Sequence, residues 1–449
     1  MKIELPEKVR TIINVLENAG FEAYAVGGCV RDCILGRIPN DWDITTSAKP
    51  LDVKRLFRRT IDTGIQHGTV TVMYGDTGYE VTTYRIDGEY EDSRHPKEVI
   101  YTADLEEDLR RRDFTINAMA YNDHDGLIDK FGGRADIENK IIRAVGDAHE
   151  RFSEDALRIL RAYRFAAQLG FSINRGTSDA ASELATDLTK ISAERIQIEF
   201  TKLITSEHTD ILYDAYKAGI TKVIMPEFDR CMETAQRNKH HMYTVGEHTL
   251  HALKIINADD YAKTPDSLKY IRYALLFHDF GKPLCLTTDA EGWDHFENHA
   301  AESERIADEI MHRFKMDNDT IAAVRSLVKY HDFRPAPTKK AVRHAMNRTG
   351  VEIFRMLFPV RAADTLSQSM YKRHEKVEYE KEIQEIFTDI ENAGECVTLK
   401  DLAVTGRDLI DAGMKPGKEI GDTLSYLLDM VLEDPECNTK EKLLSKLHL

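Results

Sequence analysis

At 449 residues the chain is too long for one ordinary domain, and 42% hydrophobic residues exclude global disorder. It has no apolar run long enough for a transmembrane helix, and its acidic, helix-periodic first twenty residues do not read as a signal peptide. A formal charge of −16 excludes a global basic field, so a nucleic-acid partner has to be met by local stripes such as Arg110 to Arg112 or Arg151, Arg158, Arg161 and Arg164. Six scattered cysteines without a C-x-x-C pair fit free thiols in a reducing cytoplasm, the expected location.

Pro6 to Gly20 predicts an amphipathic helix with Val9, Ile12, Ile13 and Leu16 on one face. The stretch AYAVGGCVRDCILGRIPNDWDITT follows. Ala23 to Val26 predicts a strand, Gly27-Gly28 a break, Cys29 to Leu35 a helix, and Trp42 to Thr45 a second strand carrying Asp41 and Asp43, with Trp42 turned into the core. Free backbone N–H groups at the Gly27-Gly28 helix start suit a phosphate. Carboxylates at i and i+2 of a strand share a face and suit divalent cations beside it. A helix near Leu51 to Phe57 comes next, then a hairpin of Gly68 to Tyr74 and Tyr79 to Tyr84 around Gly75-Asp76, where Glu80 offers a third carboxylate. Asp87 to Ala103 reads as a long loop. In DLRRRDFTINAMAYN, Asp113 is placed to N-cap a helix through Phe114, Ile116 and Met119. Gly126 to Phe131 and Ile141 to Val145 read as strands closing an α/β head.

Beyond Gly146 the pattern is helical. RFSEDALRILRAYRFAAQLGF predicts one helix ending at Gly170, with Asp155 and Arg158 at i and i+3 on one face and Arg161 a turn further. A surface ion pair is the plain reading. A sharper one follows from the bases. Cytosine and adenine present an amino donor beside a ring-nitrogen acceptor, whereas uracil and guanine present a carbonyl beside an N–H. A carboxylate only accepts and a guanidinium only donates, so an Asp–Arg pair suits C and A and leaves U and G mismatched. Ten of the seventeen histidines then fall between His240 and His344. His248, His278-Asp279 and Asp364, with His299 and His331-Asp332 between them, bring imidazoles and carboxylates suited to divalent transition metals. After about residue 370 the chain is charged and helical, and a Lys-Pro-Gly turn at residues 415–417 could meet an RNA phosphate.

GGCVRD with its DWD, RRDFTINAMA, EDALRILR and ISAERIQIEF, in that order, resemble the class II CCA-adding tRNA nucleotidyltransferase and bacterial poly(A) polymerase family of the polymerase β superfamily. His248, His278-Asp279 and Asp364 resemble the HD phosphohydrolase ligand set, with His299 and His331 where some members hold a second metal. The resemblance implies an α+β fold: a polymerase-β-like nucleotidyltransferase head (1–146), an all-helical neck that selects the base (147–235), an HD body (236–370) and a helical, tRNA-binding tail (371–449). It implies CCA addition to the tRNA acceptor end from CTP and ATP, with Mg²⁺ on the catalytic Asp41 and Asp43. Gly27, Gly28 and Arg31 would hold the triphosphate, Arg112 and Asp113 the phosphates and ribose, and Asp155 and Arg158, with Arg161, the base. A second divalent transition metal in the HD set is the further cofactor implied, and no membrane partner is expected. An A-adding-only enzyme, a poly(A) polymerase and, from another class, an HD phosphohydrolase are the alternatives.

Overall fold

The computed structural model describes residues 2–65, 68–87, 99–256 and 264–447. It divides into two compact units, Met1–Pro226 and Glu227–Leu449. No helix among the described residues is long and apolar enough to cross a membrane.

In the first unit, helix α1 (Glu7–Asn18) buries Val9, Ile12, Ile13 and Leu16 as its periodicity predicts. Strand β1 (Ala23–Val26) is buried at every position. That explains its uninterrupted apolar run, since a strand covered on both faces does not alternate. Gly27 follows at φ +83°, then helix α2 (Gly28–Ile34). Strand β2 spans only Ile44–Thr46, so Asp41 and Asp43 lie on the segment leading into it rather than on the strand, and Trp42 is half-buried rather than in the core. After helix α3 (Pro50–Leu56) come β3 (Thr60–Gly64), β4 (Thr69–Tyr74) and β5 (Thr77–Thr83). β4 and β5 form the expected hairpin across Gly75-Asp76, closing at Tyr74 opposite Thr77. The edge strand β3 has no clear sequence signal.

The reading of Asp87 to Ala103 as one loop needs correction at its ends. β6 (Arg85–Asp87) pairs antiparallel with β7 (Val99–Tyr101), while residues 88–98 lie outside the described ones. Helix α4 (Leu105–Arg110) follows. The helix expected from Asp113 is absent. Thr115–Asn117 make a single 3₁₀ turn, and Met119–Asn122 form strand β8. Backbone pairing with a distant segment wins over helical periodicity, because Thr115 N–H donates to Arg143 C=O and Val145 N–H to Asp113 C=O. β8 pairs with β1 and with β9 (Gly126–Asp129), completing a seven-stranded sheet in the order β3-β4-β5-β2-β1-β8-β9.

Helix α5 (Gly133–Glu138) leads to β10 (Ile141–Ile142). This strand does not close the sheet as expected but pairs parallel with β11 (Ser172–Ile173). The single helix predicted through Ser153 to Gly170 is two: α6 (Ala148–Glu154) and α7 (Leu157–Leu169), broken at Asp155, whose φ of −145° and ψ of 101° are extended. α7 ends on Gly170 at φ +68°. Helices α8 (Arg175–Glu183) and α9 (Ala193–Ile204) follow, and α7 packs on α9.

The second unit is helical apart from a two-residue strand pair, Thr287–Thr288 with Asp294–His295, among its described residues. The helix Pro265–Phe277 buries Ile271 and every residue from Tyr273 to Phe277, and so runs through the middle of the unit. It packs against the helices Val245–Ile255, Asn318–Tyr330 and Val351–Ser367.

Candidate active site

In the first unit the sheet register assembles the acidic groups. β2 pairs parallel with β5, with Ile44 opposite Val81, which sets Glu80 beside Asp43 one residue earlier on each strand. Partial desolvation raises Asp43 above the ordinary carboxylate range although its side chain still reaches solvent, with Arg112 opposing and Asp41 adding to the rise. Glu80 is also raised, by burial and then by Asp43 and Asp41. Two carboxylates whose charge is disfavoured, Asp43 and Glu80, with Asp41 beside them and one guanidinium in partial compensation, suit a divalent cation. Glu80 thus joins the pair that the motif singles out.

The Gly27 turn sits against this group. The backbone angle requires glycine at position 27, and a Cβ there would lie 2.9 Å from Arg112 Nη1 and push that guanidinium aside. Gly27 N–H is occupied by the Met119 carbonyl at 3.1 Å, so of the two glycines only Gly28 leaves its N–H at the helix start. Arg31 is pinned. It donates to Asp32 Oδ1 at 2.9 Å and to Asn117 Oδ1 at 2.8 Å, with its guanidinium 5.1 Å from the Phe165 ring centre.

Asn117 extends this chain of bonds, donating to Asp113 Oδ1 at 3.0 Å. Asp113 Oδ2 in turn receives Arg161 through Nε at 2.8 Å and Nη2 at 2.5 Å. Burial works against the Asp113 carboxylate, but Arg161 and Asn117 outweigh it and hold its pKa far below the usual range. A relay Asp32–Arg31–Asn117–Asp113–Arg161 therefore joins α2, the 3₁₀ turn and α7.

Asp155 and Arg158 do not pair with each other, and the surface-ion-pair reading fails. Asp155 Oδ1 accepts from Leu157 N–H at 3.1 Å, capping α7, while Oδ2 accepts from Arg195 Nη2 at 2.7 Å. Arg158 Nη1 donates to Glu154 at 2.5 Å and to Arg151 C=O at 3.1 Å, and its Nη2 donates to Arg111 C=O at 3.0 Å. The arginine motif therefore faces both ways. Its Arg111 carbonyl receives Arg158, and the next residue, Arg112, faces Gly27 and acts on Asp43. Asn117 and Arg195 were not singled out by sequence, although each stands inside a quoted motif. The partners Arg31 of Asn117 and Asp155 of Arg195 lie 86 and 40 residues away, beyond any local pattern.

The second unit holds the other cluster. His248 Nε2 lies 2.9 Å from Asp364 Oδ1, 3.6 Å from Asp279 Oδ2 and 3.3 Å from His278 Nε2. His299 Nε2 lies 3.3 Å from His331 Nε2 and 3.5 Å from Asp279 Oδ1. The opposite ring nitrogens of His278, His299 and His331 face the Leu275, Phe296 and Val328 carbonyls at 2.7–2.8 Å, and that of His248 faces Ser367 Oγ at 3.0 Å. Each ring is thus fixed with Nε2 turned inward, as metal-ligating histidines are. Against its burial, Asp279 and Asp364 raise His278 to about 9, so the acidic pair draws positive charge to the cluster. Lys282 Nζ, 2.7 Å from Asp279 Oδ2, supplies some of it. The residue types and geometry fit a divalent transition metal, with Asp279 common to both groups.

Three families match segments of the chain: the Poly A polymerase head domain at residues 23–143, the probable RNA and SrmB-binding site of polymerase A at 170–232, and a putative tRNA nucleotidyltransferase domain 2 at 284–447. A CCA-adding enzyme of Limosilactobacillus fermentum is 36% identical over 448 residues, covering 99% of this chain and 98% of its own. That of Lactobacillus helveticus is 34% identical over 428 residues, 95% and 92% of the two chains. Among solved structures, the Bacillus stearothermophilus CCA-adding enzyme in complex with CTP superposes with a TM-score of 0.72 at 29% identity, covering 99% of this chain and 97% of that one. The Thermotoga maritima CCA-adding enzyme complexed with tRNA shares the fold, with a TM-score of 0.60 at 19% identity over 99% and 98%.

Proposed function

The chain belongs to the CCA-adding enzyme family, and on that footing we propose that it completes the tRNA 3′ end with C, C and A, using CTP and ATP and no nucleic-acid template. Function is divided, in this reading, among a head at 1–146, a neck at 147–235, an HD body at 236–370 and a tail at 371–449, acting on cytoplasmic tRNA. The single observation that carries it is the two-sided arginine motif, which joins the Asp43 carboxylate, with Asp41 and Glu80 beside it, to Arg158 inside one unit.

Asp41 and Asp43, with Glu80 beside them, would hold Mg²⁺. That ion would supply Lewis-acid charge at the reacting phosphate and lower the pKa of the RNA 3′-hydroxyl. The N–H groups starting α2 at Gly28, with Arg31 and Arg112, bind the triphosphate, and Gly27 gives it clearance. Asp113, fixed by Asn117 and Arg161, meets the ribose. Asp155 accepts from the amino group of C or A, and Arg158 donates to the ring nitrogen. Their present partners do not forbid this. A carboxylate has about four acceptor positions and a guanidinium five N–H groups, so Arg195 and Glu154 orient the pair without exhausting it.

The test offers tRNA ending before CCA, after C and after CC with each nucleotide separately, and sizes the products. C, C and A additions in order support the reading. Long A tracts mark a poly(A) polymerase, and extension only of the CC-ended tRNA marks an A-adding enzyme. In the same assay Arg158→Ala deletes donors without creating an acceptor, so selectivity relaxes rather than reverses. Each lost charge-assisted bond is worth about 1.5–3 kcal/mol, roughly tenfold or more in kcat/KM for CTP over UTP. An unchanged ratio in a folded variant means the base is chosen elsewhere.

For the second unit we propose a divalent transition metal on His248, His278, Asp279 and Asp364, serving a phosphohydrolase separate from CCA addition. Asp279 is shared by both imidazole groups, so Asp279→Ala should remove bound Mn²⁺, Ni²⁺ or Co²⁺ and hydrolysis of 2′,3′-cyclic phosphates while sparing CCA addition. If elemental analysis of the wild-type protein finds no such metal and nothing is cleaved, the cluster is scaffold.

A further inference from the structure

Asp108 on α4 is a fully buried carboxylate. Its Oδ1 accepts from Arg111 Nε at 3.0 Å and Nη2 at 2.7 Å. Its Oδ2 accepts from Thr45 Oγ1 at 3.0 Å and lies 3.5 Å from Arg112 Nη2. Thr45 is on β2, two residues past Asp43. One carboxylate therefore ties both arginines to the strand that the acidic segment enters.

We propose that Asp108 is a positioning residue for nucleotide binding, holding the Arg112 guanidinium at the Gly27 turn and off the Asp43 carboxylate. Arg112 has few other restraints. Its Nε is buried without a hydrogen-bond partner among the described residues, and its Nη1 faces the empty side of Gly27. Asp43, Asp41 and Glu80 are the negative groups toward which it would otherwise be drawn, and Arg112 already acts on Asp43 across space. An Arg112 released from Asp108 would settle among carboxylates that a divalent cation needs and leave the triphosphate without a counter-charge. Burial opposes ionisation of Asp108, but Arg111 and Arg112 outweigh it and keep it charged, as this role requires.

The assignment rests on the nucleotidyl transfer proposed above, and the full-length enzyme tests both. Asp108→Asn keeps the shape and removes the charge. KM for CTP and for ATP should rise together, roughly tenfold or more for loss of an ionic contact. The Mg²⁺ concentration for half-maximal rate should also rise, while the C, A, U and G incorporation ratios stay unchanged. In an Arg112→Met background the same substitution should add nothing to KM, because its effect passes through Arg112. A lowered Tm with unchanged KM, or full additivity with Arg112→Met, overturns the assignment. Should Asp108→Asn not fold, Thr45→Val removes only the hydroxyl fixing Oδ2. It should raise both KM values about threefold, as for one neutral hydrogen bond, and unchanged KM overturns the assignment equally. A wild-type enzyme that extends no tRNA overturns the proposed function instead.

Discussion

Replacing Asp41 and Asp43 together with alanine should abolish addition of both C and A while leaving tRNA and CTP binding measurable. In the proposed mechanism both additions share one acidic site, and of its three carboxylates the double variant leaves Glu80. Metal charge at a transferring phosphate is worth several kcal/mol, so single-turnover rates should fall roughly a thousandfold or more. Near-wild-type incorporation would falsify the site. A second readout separates lost chemistry from lost structure. Partial desolvation and neighbouring carboxylate charge raise Asp43 and Glu80, which still reach solvent, so their ionised forms weaken the metal-free fold slightly at neutral pH. In a chelator the double variant should melt no lower than wild type, whereas a structural role for the pair predicts a lower Tm. The same sign governs metal uptake. Groups with raised pKa in the metal-free site take up protons earlier on acidification and compete with the cation, so the Mg²⁺ concentration for half-maximal addition should begin to rise at a higher pH than ordinary carboxylates would give.

The second large effect is on stability. Arg161→Met leaves Asp113, 8% exposed, without its bidentate partner. Breaking a buried pair costs about 3–5 kcal/mol, and because Arg161 is itself 35% exposed the lower end, about 3 kcal/mol, is expected. Denaturant unfolding of the first unit's transition measures it. Asp113 has a depressed pKa in the folded state, so its contribution is complete above the ordinary carboxylate range and is lost as pH falls toward the depressed value. The stability gap between wild type and Asp113→Asn should thus be widest at neutral pH and narrow in acid. A gap that does not change with pH would show that the carboxylate's charge contributes nothing there.

The amphipathic helix α1, the apolar β1, the hairpin and the order of the motifs were legible because each is written in contiguous residues. The histidine cluster was legible too, since its residue types are rare enough together to stand out. The failures share a cause. Phe114, Ile116 and Met119 have helical spacing, but the Arg143 carbonyl claims Thr115 N–H, and Thr115 C=O packs so close that a Cβ at Gly133 would lie 2.2 Å from its oxygen. Asp155 had a readable signal in retrospect: an aspartate two residues before an apolar run is a helix cap, and it both starts α7 and ends α6. Glu80 became a strong candidate only when the parallel β2–β5 register placed it, and nothing in a hairpin's own sequence states which third strand lies alongside.

Arg151 and Arg158 reach the arginine motif through the main-chain carbonyls of Arg110 and Arg111, at 2.9 and 3.0 Å, and not through its side chains. A contact made to a peptide group is indifferent to what that residue carries. The side chain at position 110, half exposed, pairs with its own helix neighbours Glu106 and Glu107 and lies over the Phe131 ring at 5.6 Å, so it can change at the cost of those contacts alone, without loosening the grip of α6 and α7. Position 112 has no such freedom, because there the side chain itself fills the space that Gly27 leaves open. Among relatives, the first arginine of the triplet should be the one that varies.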